Sequence, residues 1–179
     1  MVSMIIMREM SKKRIRRFLI VTALLIPLIL YLVVMFVLPE TEEEARKVLI
    51  IIILIISSIF DIREQKVPLL VCTAILGINI MHAVFVMFNL TSWIISIVLS
   101  AILLTVYVIN KDLIGLGDII LVALCVQSLL PGDTLKFLFL TFAFSTFYGL
   151  IKCIKAKSVK NIAVPLSPCI ALAFILLIH

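Results

Sequence analysis

The chain has 179 residues and only four aspartates, Asp61, Asp112, Asp118 and Asp133. Two of them directly adjoin long apolar runs: Ser57-Ser58-Ile59-Phe60 precedes Asp61, and Ile119-Ile120-Leu121-Val122 follows Asp118. A carboxylate at membrane depth is costly unless it reaches water or does chemistry, so both are functional candidates. Two such acids at one edge of an apolar bundle can share a proton, one accepting a proton from water while the other donates. The competing reading is two interfacial charges at helix ends, with Asp61 paired to Arg63. Asp133 lies in the turn sequence Pro131-Gly132-Asp133-Thr134 and is expected to be a solvated loop residue. Asp112 follows Lys111 and reads as a loop charge. The segment Gly115-Leu116-Gly117-Asp118 places two of five glycines immediately before an acid. Glycine permits an unwound turn and close approach of another backbone, as an extended peptide would need in order to be cut there.

Other chemistries have less to build on. Two aspartates without a nearby histidine are too few to specify a metal site, and no cofactor is expected. Cys72, Cys125, Cys153 and Cys169 are widely spaced without a C-x-x-C pair, and read as buried thiols. His82, within an apolar segment, reads as a helix-packing residue.

The elements that must position the acids are set by composition. Hydrophobic residues make up 64% of the chain and charged residues 15%, against about 45–50% and about 25% in ordinary soluble domains. With mean hydropathy at +1.34, a soluble enzyme and a disordered chain are both excluded at the sequence level, and a lipid bilayer is the expected solvent. Breaking the chain at charges and turn residues leaves apolar segments at 18–38, 47–60, 69–89, 92–109, 118–130, 135–151 and 163–178. The expectation is an all-α, polytopic integral membrane protein with about seven transmembrane helices. The helices ending near Asp61 and starting near Asp118 should continue past their apolar runs and carry those acids at the membrane edge.

A cytoplasmic N-terminus and an external C-terminus place residues 1–17, 61–68, 110–117 and 152–162 inside, with most of the Lys and Arg. Arg46, Lys47 and Lys136 fall outside, beside Glu40, Glu42, Glu43 and Glu44. The positive-inside bias thus accounts for the net charge of +6 without nucleic acid as a partner. The basic stretch before Phe18 reads as a retained signal anchor. Residues 1–46 form a basic segment, that anchor helix and a short acidic external link, and residues 47–179 form the membrane domain.

Three places resemble the prepilin peptidase family, the type IV leader peptidases among the G-x-G-D membrane aspartyl proteases. Asp61-Ile62-Arg63-Glu64-Gln65-Lys66-Val67-Pro68 is similar to the family's D-x-R-x-x-x-[IV]-P segment. Gly115-Leu116-Gly117-Asp118 matches its G-x-G-D element. Val164-Pro165-Leu166-Ser167-Pro168 resembles the I-P-F-G-P stretch that opens the last helix. The resemblance spans about residues 48–178. It implies that Asp61 and Asp118 are catalytic, with Gly115, Gly117, Arg63, Pro68, Pro165 and Pro168 supporting the site or the substrate, and no metal. The implied substrate is a prepilin or pseudopilin precursor, whose short basic leader is removed at the cytoplasmic face of the plasma membrane. Leu69 stands where the family often has Asn, and Ile120 where it often has Lys. Longer members carry a cytosolic methyltransferase segment with paired C-x-x-C motifs. The corresponding segment here is the short Glu40–Ala45 link, so N-methylation is not expected.

Two other readings use the same acids. A presenilin-like or signal-peptide-peptidase-like protease shares G-x-G-D, but those families typically have Tyr before the first acid, where this chain has Phe60, and P-A-L where it has Pro165-Leu166-Ser167. A proton-relay transporter or an assembly scaffold would use Asp61 and Asp118 without hydrolysis. The sequence sets neither the particular precursor nor the oligomeric state.

Overall fold

In the computed structural model the described residues are 42–64, 67–110, 114–156 and 164–178, with Ile29 and Val33. The expected anchor at 18–38 and Asp112 lie outside them. The described residues form six α-helices and one 3-10 turn, with no strand among them: α1 (Glu42–Glu64), α2 (Leu69–Phe85), α3 (Leu90–Ile109), α4 (Leu116–Gln127), the turn Pro131–Asp133, α5 (Thr134–Ala156) and α6 (Ser167–Ile178). Each of the six expected apolar segments from residue 47 onward corresponds to one helix.

Helix starts follow local chemistry. Pro68, with φ −64° and ψ 127°, precedes α2 in the extended conformation its ring favours. The Asn89 side chain caps α3 by accepting the Ser92 N–H at 3.3 Å. Gly115 occupies the N-cap of α4. Asp133 is not a free loop charge, because Lys136 binds it at 2.8 Å across the start of α5. Glu42–Ala45, expected as part of an external link, is the first turn of α1. Acids are favoured at a helix N-terminus, and Glu43 is braced by Lys47 at 3.1 Å. As expected, α1 runs past its apolar stretch to carry Asp61, and Asp118 lies in the first turn of α4.

Helix α1 packs against α2 and α6, α4 against α2, α3 and α6, and α5 against α6. The core is built from Ile50 and Leu54 of α1, Ile75 and Ile78 of α2, the α4 residues Ile119, Leu121, Val122 and Cys125, and Phe174 of α6. Phe137 of α5 meets Phe174 edge-on at 6.3 Å between ring centres. Helix α3 adds little to this core and is pinned by hydroxyls instead: Ser96 donates to the Ala123 carbonyl at 2.7 Å, and Ser92 to that of Leu129 at 3.1 Å. Such pins suit helices packed where the hydrophobic effect does not drive them together.

Two helical stretches, Leu90–Ile109 and Pro131–Ile154, are long and apolar enough to cross a membrane, and they are only 17% and 11% buried. A core helix of a water-soluble protein would be mostly buried, so these faces call for an apolar surrounding. Seven spans are more than length and composition support among the described residues. Helices α2, α4 and α6 have 17, 12 and 12 residues, and α1 carries charges at both ends.

Candidate active site

Asp61 lies one turn from the C-terminal end of α1 and is 4% exposed. Its Oδ2 accepts the backbone N–H of Ser167 at 3.0 Å. That N–H is the first of α6 and has no partner within its own helix. The next residue, Pro168, has no N–H to offer, so Asp61 takes the leading donor of the last helix and ties α1 to α6. Ser57, four residues earlier and so on the same face of α1, is fully buried. The hydroxyls of Ser57 and Ser167 are buried without a hydrogen-bond partner among the described residues.

Asp118 is the third residue of α4, and its carboxylate accepts a hydrogen bond from the Gly115 backbone. This is the reach-back of an acid from the first turn to the N-cap, which holds the side chain over the helix start. Its Oδ1 is buried and has no partner among the described residues, so the Gly115 bond falls on Oδ2. The charges of Asp61 and Asp118 act on one another, and both act on the buried thiol of Cys169, so the two acids lie near each other where α1, α4 and α6 approach. Cys72 of α2 feels Asp118 from another side. Three of the four thiols are buried as expected, and Cys153 is half-buried.

The two glycines serve the acids differently from the expectation of an open approach for substrate. A Cβ on Gly117 would lie 2.8 Å from the Val67 Cβ, so its bare face is filled by the segment that leads into α2. A Cβ on Gly115 would lie 3.0 Å from Asp118 Oδ2. Gly117 thus lets the Val67–Pro68 segment close over the start of α4, and Gly115 leaves room for the carboxyl group.

The remaining expected residues divide. Pro68 sets the start of α2 beside Gly117. Pro165 is buried, Pro168 half-buried, and both line a 220 Å³ apolar cavity with Ile62, Phe144, Phe147 and Tyr148. Arg63 is exposed, and no ion pair joins it to Asp61 among the described residues. Leu69 is 72% exposed and Ile120 is 40% exposed, so neither makes a buried contact beside the acids. No group of three or more His, Cys, Asp or Glu side chains suited to a metal ion occurs among the described residues. Sequence reasoning missed the Ser167 N–H, because a backbone donor has no side-chain signature. It also missed Cys72 and Cys169 as buried thiols within reach of the acids' charge.

Comparison with protein-family models, with curated proteins and with solved structures found no match for this chain.

Proposed function

We propose that the protein is a multi-pass membrane aspartyl endopeptidase that removes the short basic leader of prepilin-like or pseudopilin precursors at the cytoplasmic face of the plasma membrane. One observation carries the reading. Asp61 and Asp118 come from helices separated by two others, yet lie near enough at one end of the bundle for their charges to interact, each acid tied by a backbone N–H. Asp118 Oδ1 is left buried and without a partner. A water between the acids would lose a proton to one carboxylate as its oxygen attacks the scissile carbonyl carbon. The other acid would give its proton to the leaving amine as the C–N bond breaks. The motifs around both acids and the Pro165–Pro168 stretch favour prepilin-type substrates over intramembrane cleavage, and the exposed apolar faces of α3 and α5 fit a bilayer.

The test is cleavage of a synthetic prepilin-type precursor by the full chain in liposomes. The wild type is expected to release the leader, while Asp61→Asn and Asp118→Asn, folded by circular dichroism and size exclusion, retain less than about a thousandth of the rate. Wild-type turnover in either variant rejects the two-acid mechanism. Absence of leader release by a folded wild type, across a panel of precursors, favours a relay or scaffold.

A further inference from the structure

The stretch of chain that anchors the first acid also builds a cavity. Ser167 gives its N–H to Asp61, and the residues around it, Pro165, Pro168 and Cys169, line the 220 Å³ apolar space between α5 and α6. Ile62, which follows Asp61 on α1, belongs to the same wall. The cavity and the anchor of Asp61 thus share their backbone.

The polar groups of that stretch are engaged elsewhere. Pro165 and Pro168 have no N–H. The Ile170 N–H donates to the Leu166 carbonyl at 3.0 Å, and the Cys169 thiol to the Pro165 carbonyl at 3.9 Å. The rest of the wall is apolar: Leu172 of α6 and aromatic rings of α5 complete it. Such a lining rewards buried carbon and penalises charge.

The space is open on one side. Phe147 is 64% exposed, Ile62 57% and Leu172 52%, and these residues form its rim. Cys169 and Pro165 are buried and form its floor. Phe144, Phe147 and Tyr148 belong to Pro131–Ile154, a stretch long and apolar enough to cross a membrane. Tyr148 lies about 12 Å before the end of α5 at the usual rise. An apolar segment arriving from a bilayer therefore reaches the rim without passing through water.

Volume and position select the occupant. Sites that enclose a whole small ligand run to about 300–1,000 Å³, so a space of 220 Å³ suits one large side chain. A peptide that offers its scissile carbonyl to Asp61 and Asp118 advances about 3.3 Å per residue when extended, and its successive side chains point to opposite sides. One of the two residues nearest the bond then faces the wall beside Asp61, and its neighbour faces away. The leader is basic on the proposed reading, and the wall has no acid to receive its charge. The side chain that enters comes from the other side of the bond.

We propose that this cavity is a specificity pocket, which takes a large apolar side chain from one of the first two residues after the scissile bond. The pocket rests on the endopeptidase reading, and its test separates the two.

The full chain in liposomes is given precursors carrying Phe at both of those positions, and variants in which one or the other is Ser. The value of kcat/KM is expected to fall about tenfold to a hundredfold at one position, the discrimination that a buried apolar side chain provides, and to change little at the other. Equal losses at both, as a general demand for hydrophobicity would give, or loss at neither, overturn the pocket. Leu172→Trp narrows the rim and should reverse the order at the sensitive position, so that a small side chain is preferred to Phe. An unchanged order in the folded variant also overturns it, and the wild-type series decides alone if the variant does not fold.

A second readout needs no cleavage. Benzoylphenylalanine placed in the precursor at each position in turn should crosslink from one of them to Phe147, Tyr148 or Leu172. Such crosslinks without leader release reject the endopeptidase reading and keep the pocket. Leader release with crosslinks only elsewhere does the reverse. Labelling of the same wall by a phospholipid with a photoactivatable acyl chain, undiminished by excess precursor, assigns the cavity to lipid and overturns the pocket.

Discussion

Gly115 and Gly117 stand two residues apart, and replacing each by alanine should have different consequences. At Gly117 the added carbon meets the Val67 Cβ, which is fixed to backbone and cannot swing aside. Overpacking of this kind costs about 1–3 kcal/mol. Gly117→Ala should therefore lower the unfolding temperature and cleavage together. At Gly115 the added carbon meets the far end of the Asp118 side chain, which can rotate away. On the proposed two-acid mechanism, Gly115→Ala should leave the unfolding temperature nearly unchanged while cleavage falls about tenfold, because a small displacement of a reacting carboxylate is expensive. Thermal scans and cleavage rates on both variants check the pair, and equal behaviour at the two positions would contradict this division. The acids themselves were legible in the sequence, since a carboxylate beside an apolar run and a G-x-G-D spacing are side-chain facts. The reason for Gly117 was not, because Val67 lies far along the chain and nothing local announces that the two meet.

At the scale of elements, the tie between α1 and α6 rests on one backbone N–H. Ser167→Pro removes that donor while leaving the helix start intact, since proline is tolerated in the first turn. A hydrogen bond to a charged group is worth about 1.5–3 kcal/mol, so cleavage should fall about tenfold to a hundredfold with helix content unchanged by circular dichroism. Ser167→Ala keeps the N–H and should keep most of the activity. Full activity in Ser167→Pro would separate Asp61 orientation from α6. The helices were readable from apolar runs broken at Pro, Gly and charges, as with Pro68 before α2 and Pro131 before α5. Their neighbours were not readable: the apolar residues of α6 carry no mark saying that α1 packs on one side and α5 on another. The first turn of α1 escaped for a different reason. Glu42, Glu43 and Glu44 look like a solvated link by hydropathy, although acids are what a helix N-terminus prefers.

At the scale of the whole molecule, two helices that frame the acid pair are short. Helices α4 and α6 have 12 residues each, about 18 Å at the usual rise, against a hydrocarbon core of about 30 Å. Both begin at the acid end. If the long helices α3 and α5 span a bilayer, the lipid beside α4 and α6 has to thin or the protein has to leave a wet recess above Asp61 and Asp118. Hydrophobic mismatch then becomes a control on activity: a thin membrane lowers the cost of that depression, and a thick one opposes it. Cleavage in liposomes of 14-carbon lipids should exceed that in 22-carbon lipids at equal protein incorporation, and the difference should shrink in detergent micelles. The shortness of two helices would in this way bring bulk water to a half-buried Asp118 and, past it, to the buried Asp61.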